Sequence, residues 1–254
     1  MSFLYLILVP ITLVLLTYMF LEGRMNRLIP LELKISGLPN PFDGKTIFFI
    51  SDIHRRLISE QWLDSFEQKA DYIVIGGDLT ERGVSFSRVR ENVKRLTERG
   101  PVFFVWGNHD WDAGPDQVAR ILEEFQVTIL NNSTHVLEEN NSFLNLSGVN
   151  DSTRHYDDLA KTLASRRPFA PTILLSHNPD IQKKLNRSMD IDYVISGHTH
   201  SGQINVFGYT LKEKAGVKRH GFGTLIISSG YGTTKLPLRL GAKPDALMLR
   251  LTKK

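Results

Sequence analysis

Five short runs of β-branched and aromatic residues in this chain each stop at an Asp, Asn or His. TIFFIS (46–51) leads into Asp52 and His54, YIVIGG (72–77) into Asp78, and PVFFVWG (101–107) into Asn108, His109 and Asp110. TILLS (172–176) leads into His177, and YVISG (193–197) into His198, Thr199 and His200. Runs this short and this continuous fit strands covered on both faces. The intervals 58–70, 84–98 and 114–125 carry apolar residues among charges at three- and four-residue spacing, the period of an amphipathic helix. FLNLSGV (143–149), TLIISSG (224–230) and ALMLRL (246–251) read as further strands. With no internal repeat and no dividing linker, this alternation predicts one layered α/β domain. In open α/β folds ligands collect at the carboxyl ends of strands, so the five polar endings are expected to meet in one place.

Taken singly, an Asp after a strand is most often a helix N-cap, and a His there is most often a hydrogen-bonded structural residue. Spacing changes the reading. Asp-x-His and His-x-His, at i and i+2 on a strand end, set both side chains on one face. The chain has no cysteine, which excludes a disulfide framework, thiolate zinc sites and a Cys nucleophile. Imidazole nitrogens with carboxylate and amide oxygens, and no sulfur, suit borderline divalent ions such as Mn, Fe or Zn.

Residues 1–21 contain no charged side chain, and only Ser2, Pro10, Thr12 and Thr17 fall outside the hydrophobic set. About 20 apolar residues cross a hydrocarbon core of about 30 Å as a helix. Tyr5 and Tyr18 stand near the two ends, and Pro10 is tolerated in a spanning helix. The run therefore predicts a transmembrane anchor over 1–24, a short tether (22–30), and a globular domain over 25–254. A cleaved signal peptide would need a basic lead and a small-residue cleavage site, and neither is present. Arg24, Arg27 and Lys34 follow the run and no basic side chain precedes it. That asymmetry favours a single-pass protein of the cell membrane with its domain on the cytoplasmic side, the extracytoplasmic side being the alternative. The formal net charge of +4 suits an anionic substrate or membrane surface and is too weak to argue for nucleic acid.

The ordered pattern D-x-H, G-D, G-N-H-D, H, G-H-x-H stands here as Asp52/His54, Gly77/Asp78, residues 107–110, His177 and residues 197–200. It resembles the calcineurin-like metallophosphoesterase superfamily. ISGLPNPFDGKTIFFISDIH (35–54) and SGYGTTKLPLRLG (229–241) are similar to its bacterial, membrane-associated YkuE-like branch. The resemblance implies a four-layer α+β arrangement, a central β-sandwich flanked by helices, to which the N-terminal transmembrane helix would be attached. It implies two divalent metal ions (Mn, Fe or Zn), one held by Asp52, His54, Asp78 and His200. Asp78 would bridge to a second ion held by Asn108, His177 and His198; two close cations need a shared anion between them. A hydroxide held by the metals would attack phosphorus in line. His109 would protonate the leaving oxygen or stabilise phosphate charge, with Asp110 orienting its ring. Asn108 and His109 would bind the substrate phosphate; Arg55, outside that pattern, is a further candidate to grip it bidentately, the alternative being a solvated pair with Arg56 at a helix start.

Three positions depart from the family pattern. Glu81 stands where GDxxD has its second Asp, and Arg55 and Arg56 stand where small or apolar residues are usual. The basic segment 211–223 (Lys212, Lys214, Lys218, Arg219, His220) is a candidate for anionic headgroups or a lipid-linked phosphate. The expected function is a membrane-anchored phosphoesterase acting on mono- or diesters, lipid- or nucleotide-linked ones among them. The alternatives are a nuclease with the same centre, which the weak charge disfavours, and a non-catalytic scaffold that binds a protein partner. The complete ligand set and His109 argue against the scaffold.

Overall fold

The short apolar runs form strands, and the strands form two sheets. In chain order the elements are α1 (Ser2–Glu22), β1 (Leu28–Ile35), β2 (Thr46–Ile50), α2 (Glu60–Asp64), β3 (Tyr72–Ile75), α3 (Phe86–Thr97), β4 (Val102–Phe104), α4 (Asn108–Ala113) and α5 (Pro115–Glu124). There follow β5 (Thr128–Ile129), β6 (Ser133–Glu139), β7 (Ser142–Gly148), α6 (Leu159–Ala164), β8 (Thr172–Leu175), β9 (Tyr193–Ser196), β10 (Gly216–Arg219), β11 (Thr224–Ile227) and β12 (Ala246–Lys253). The computed structural model describes residues 2–206 and 208–254, with side chains from residue 6 onward.

One sheet runs β1-β12-β2-β3-β4-β5 and the other β10-β11-β9-β8-β7-β6. β2 to β5 are mutually parallel, as are β7, β8, β9 and β11. β12 lies antiparallel to β2, and β10 and β6 are antiparallel edges of the second sheet. Strands buried on both faces explain the continuous apolar runs. Ile47, Phe49, Val74 and Phe103 of the first sheet face Leu144, Leu146, Ile173, Leu175 and Ile195 of the second, and together they form the inter-sheet core. The alternate residues Phe48, Ile50, Ile73, Ile75 and Phe104 pack outward against Val89, Val93 and Leu96 of α3 and Val118, Ile121 and Leu122 of α5. Leu174, Val194, Leu225 and Ile227 pack outward on the other side, against α6 and a 3₁₀ turn at Pro179–Lys184. Parallel β2, β3 and β4, and parallel β8 and β9, thus deliver their carboxyl ends to one rim of the sandwich.

The N-terminal expectation is corrected. Among the described residues no helix is long and apolar enough to cross a membrane. The transmembrane anchor falls with that finding, and so do the single-pass membrane location and the orientation drawn from it. The last turns of α1 belong to the globular body. Met19 and Glu22 are buried, the Arg239 amide donates to the Met19 carbonyl at 3.0 Å, and the Gly241 amide donates to Glu22 Oε2 at 3.3 Å. Residues 6–18, before those turns, carry exposed side chains. The Tyr5 ring, expected at a membrane interface, lies outside the described residues. The lipid contact expected of 211–223 lapses with the anchor; Lys218, on an edge strand, pairs with Glu213 at 2.7 Å.

Two smaller differences have local causes. The tether expected at 22–30 is shorter, because β1 begins at Leu28 and pairs in parallel with β12 over its whole length. The helix expected over 58–70 is one short α2. Trp62 and Phe66 both set their rings against Phe48, at 6.1 and 5.3 Å, while Ser65 Oγ donates to the Trp62 carbonyl at 2.7 Å. The chain must leave the helix there to bring Phe66 onto the sheet.

Leu33 on β1 is fully buried in the inter-sheet core. Leu33→Ala is expected to lower folding stability by about 2–5 kcal/mol, read as a shift of the urea midpoint at constant slope. A loss under about 0.5 kcal/mol, the size of an ordinary surface change, would show that β1 is not part of the core.

Candidate metal centre

Each candidate metal ligand sits two to four positions past a strand, where the chain bends across the rim. Asp52, His54, Asp78, His198 and His200 all have left-handed φ, between 50° and 69°. For non-glycine residues this conformation is costly, and it persists where surrounding contacts enforce it, as at functional sites. Here the enforcing contacts are backbone bonds between turns. The Asp52 amide donates to Gly77 O (3.0 Å), the His54 amide to Asp78 O (3.1 Å), and the Gly197 amide to His177 O (3.0 Å).

The strand ends bring two sets of donors together. Asp52, His54 and His200 form one, and Asp78, His177 and His198 the other, with the donor atoms of each set within 4.8 Å of one another. His54 Nε2 faces His200 Nε2 at 3.1 Å, and His177 Nε2 faces His198 Nδ1 at 3.2 Å. Asp52 Oδ1 lies 3.3 Å from His200 Nε2. Asp78 Oδ2 lies 3.1 Å from His177 Nε2 and 3.8 Å from His54 Nε2, so one carboxylate oxygen reaches both sets. Two glycines make room for the carboxylates. A Cβ at Gly107 would stand 2.2 Å from Asp78 Oδ1, and one at Gly197 2.4 Å from Asp52 Oδ2.

These donors fit divalent cations. They are all nitrogen and oxygen, and Asn108 adds a buried Oδ1 with no hydrogen-bond partner. The protonation pattern has the same sense. Burial opposes a charge on His177, but the Asp78 carboxylate beside it outweighs burial and raises its pKa to about 10. His198 is pushed down to about 4 by burial and then by the charge on His177. In the other set, burial again works against His54, yet Glu81, Asp78 and Asp52 raise its pKa; His200 lies well below the ordinary value through burial and the His54 charge. One ring of each facing pair is thus pushed towards the protonated form and the other towards the neutral form, so each set favours positive charge.

Supporting side chains orient the donors. His177 Nδ1 is 2.9 Å from Gly76 O, which leaves Nε2 free to coordinate. Glu81 is buried; its Oε2 stands 3.2 Å from His54 Nδ1, off the hydrogen-bond line, and its Oε1 pairs with Arg55 Nε. The departure from the family pattern therefore keeps a carboxylate behind His54. The His109 amide donates to Asp78 Oδ1 at 2.9 Å, and the His109 ring lies edge-on to His54 with centroids 5.1 Å apart.

Asp110 differs from its expected task of orienting the His109 ring. Its carboxylate accepts from the amides of Asp78 (2.8 Å), Gly107 (3.0 Å) and Thr80 (3.0 Å), so it clamps the turns after β3 and β4. Burial and the neighbouring Asp78 raise its pKa to about 7. Sequence reasoning missed Arg239 altogether. It is fully buried, and its guanidinium donates to carbonyls of Ser229 (2.8 Å), Gly230 (2.9 Å), Gly232 (2.6 Å) and Ala242 (2.8 Å). Its Nη2 lies 3.2 Å from His200 Nδ1. A lone Arg between leucines in LPLRLG (236–241) was the available signal, since a charge amid alternating apolar residues suggests a buried, fully bonded group.

A family model described as calcineurin-like phosphoesterase matches residues 45–202. The chain belongs to this family. YpbG of Bacillus subtilis, itself an uncharacterised protein, is 40% identical over 210 residues, covering 81% of this chain and 80% of YpbG. Phosphodiesterase YaeI of Escherichia coli is 30% identical over 228 residues, 81% of each chain. The uncharacterised metallophosphoesterase YkuE of B. subtilis is 26% identical over 256 residues, 91% of this chain and 87% of YkuE. The motif-based resemblance is thereby borne out. As a member of the family the chain is a hydrolase acting on phosphoester bonds, with Asp/His clusters of a kind that hold metal ions. The matched region ends before Arg239.

Outer-shell partners of ligating histidines typically contribute 10–100-fold in metal affinity, roughly what Glu81→Gln is expected to cost, read by metal titration with circular dichroism as the fold control. Unchanged affinity would remove Glu81 from any supporting role. Because His177 is protonated near neutrality in the ion-free protein, an ion must displace that proton. Metal affinity is expected to rise from pH 7 towards pH 10, with proton release seen as a buffer-dependent calorimetric enthalpy; no release at pH 7 would contradict the raised pKa.

Proposed function

We propose that the chain is a dinuclear metal-dependent phosphoesterase whose catalytic unit occupies residues 25–254. Asp52, His54, Asp78 and His200 hold one divalent ion, and Asp78, Asn108, His177 and His198 hold the second, with Mn, Fe or Zn as candidates. The observation that carries this reading is the Asp78 carboxylate, whose Oδ2 lies within 3.1 to 3.8 Å of a histidine from each donor set. The partnerless buried Asn108 Oδ1 completes the second set.

When bound, the ions supply Lewis-acid polarisation of phosphoryl oxygens and lower the pKa of water. The protein's own side chains do the rest. Asp110 fixes the turns that aim Asp78 and Asn108, and a preorganised ligand set loses little energy in reorganising during the reaction. His109, held by its amide on Asp78, donates a proton to the leaving oxygen as the ester P–O bond breaks. A water oxygen replaces the leaving group on phosphorus, and its released proton restores the His109 ring. Arg55, one residue past His54, contributes a guanidinium for phosphate oxygens, together with Asn108 and His109. The relative named a phosphodiesterase supports diesters among the substrates.

The test is hydrolysis of bis(p-nitrophenyl) phosphate and p-nitrophenyl phosphate by the full chain loaded with Mn, Fe or Zn. Asp78→Asn is expected to lower turnover by more than about 100-fold, beyond the effect of losing an outer-shell partner, and to reduce bound metal from about two ions per chain to fewer than one. Undiminished turnover in that variant would end the dinuclear reading.

A further inference from the structure

A cavity of about 620 Å³, within the size range of small-molecule sites, is lined in part by the residues that follow His54 in the chain. Arg24, Arg55, Arg56, Arg88 and Lys235 line it, and no carboxylate does. Like charges gathered this way repel unless an anion joins them. The cations have different commitments. Arg56 is part of the frame: it donates to the carbonyls of Arg24 (3.0 Å) and Met25 (3.1 Å) and to Asn26 Oδ1 (2.8 Å), and it stacks on the Tyr231 ring at 3.7 Å. Arg55 is paired with Glu81. Arg88 gives one bond to Arg55 O (2.7 Å), and Arg24 lies over the Phe20 ring at 3.8 Å. Among the described residues Arg24, Arg88 and Lys235 have no carboxylate partner.

Lys235 is held in place at a cost. Its φ is 61°, in a three-residue turn closed by the Leu236 amide on Thr234 O at 2.8 Å. Such a turn is strained for a non-glycine residue. The Gln203 side chain braces it from both ends. Gln203 Nε2 donates to Thr234 O (2.9 Å) and Leu236 O (3.0 Å), and Gln203 Oε1 accepts from the Thr234 amide (2.9 Å). A braced, strained turn thus sets Lys235 in the lining of a cationic cavity.

Both walls continue from turns that carry or brace the candidate ligands. Arg55 follows His54 directly and shares Glu81 with it. The opposite wall, from Thr233 onward, follows Gly232, whose amide donates to Asp52 O at 2.7 Å. We propose that this cavity binds a second phosphate group of the substrate, set apart from the phosphate whose ester bond is cut. The inference rests on the phosphoesterase reading of the neighbouring centre and adds a substrate class to it: small molecules that carry a phosphate beyond the scissile one.

The experiment compares thymidine 3′,5′-bisphosphate with thymidine 5′-monophosphate as calorimetric ligands of the metal-loaded full chain. In parallel, hydrolysis of thymidine 5′-(4-nitrophenyl phosphate) is measured with and without a 3′-phosphate. The second phosphate is expected to tighten binding and lower KM by about tenfold, as charge-assisted hydrogen bonds to one phosphate imply, with the gain shrinking as salt rises. The double variant Arg24→Ala/Lys235→Ala is expected to erase that ratio. Equal binding of the two nucleotides by the wild type, or an advantage that survives in the double variant, overturns the proposal. Binding decides the matter independently of turnover: a bisphosphate preference with no hydrolysis of either ester would instead count against the phosphoesterase reading. Preference for a single-stranded oligonucleotide over the bisphosphate, lost in the same variant, would replace the small substrate by nucleic acid.

Discussion

The Asp78 carboxylate is the interaction on which the rest of the rim depends. Its Oδ2 lies against His177 and within reach of His54, its Oδ1 accepts the His109 amide, and its own amide is held by Asp110. A fully buried carboxylate is expensive unless charged groups and donors surround it. Here the histidines outweigh the desolvation and hold its pKa far below the ordinary range. The same negative charge raises the pKa of His177 and favours a cation where the two sets of donors meet. Asp110 plays the complementary part: buried close by, it spends both oxygens on three backbone amides and so keeps the two turns together.

The architecture explains why so many site residues adopt left-handed backbone. Parallel strands from two sheets end at one rim, and the chain must turn sharply across it to aim side chains inward. The strain at Asp52, His54, Asp78, His198 and His200 is borne by bonds between neighbouring turns and by the sandwich beneath. Glycines at 107 and 197 are part of that solution, because any larger residue would displace a carboxylate. Arg239 adds a cation from below, tying the 229–232 loop to the turn that carries His200.

Much of the fold was legible because the strands obey simple periodicity. The continuous runs at 46–51, 72–77, 172–177 and 193–198 became strands covered on both faces, and α3 and α5 follow the three- and four-residue spacing of their apolar residues. β1 was readable but passed over: Leu31, Leu33 and Ile35 alternate with Glu32 and Lys34, a period of two that the preceding apolar run overshadowed. That run was itself misjudged. Its hydropathy resembles a membrane span, yet a local average cannot see that Met19 and Glu22 are docked against the 239–241 segment. The tasks of Asp110 and Arg239 were equally invisible, because both depend on backbone groups from distant stretches of chain.

The sequence by itself determined which donors exist and in what order, since nitrogen and oxygen ligands at five strand ends, with no sulfur, limit the chemistry before any folding is considered. It also determined the layering, because apolar periodicity dictates which faces must be buried. Only the tertiary structure decided which histidine faces which, which carboxylate reaches both sets, and which clamps backbone instead. It alone gathered Arg24, Arg88 and Lys235 from three separate segments around one cavity. The reason is physical: composition and spacing act along the chain, whereas pairing, burial and electrostatic coupling act over a few ångströms between residues far apart in sequence.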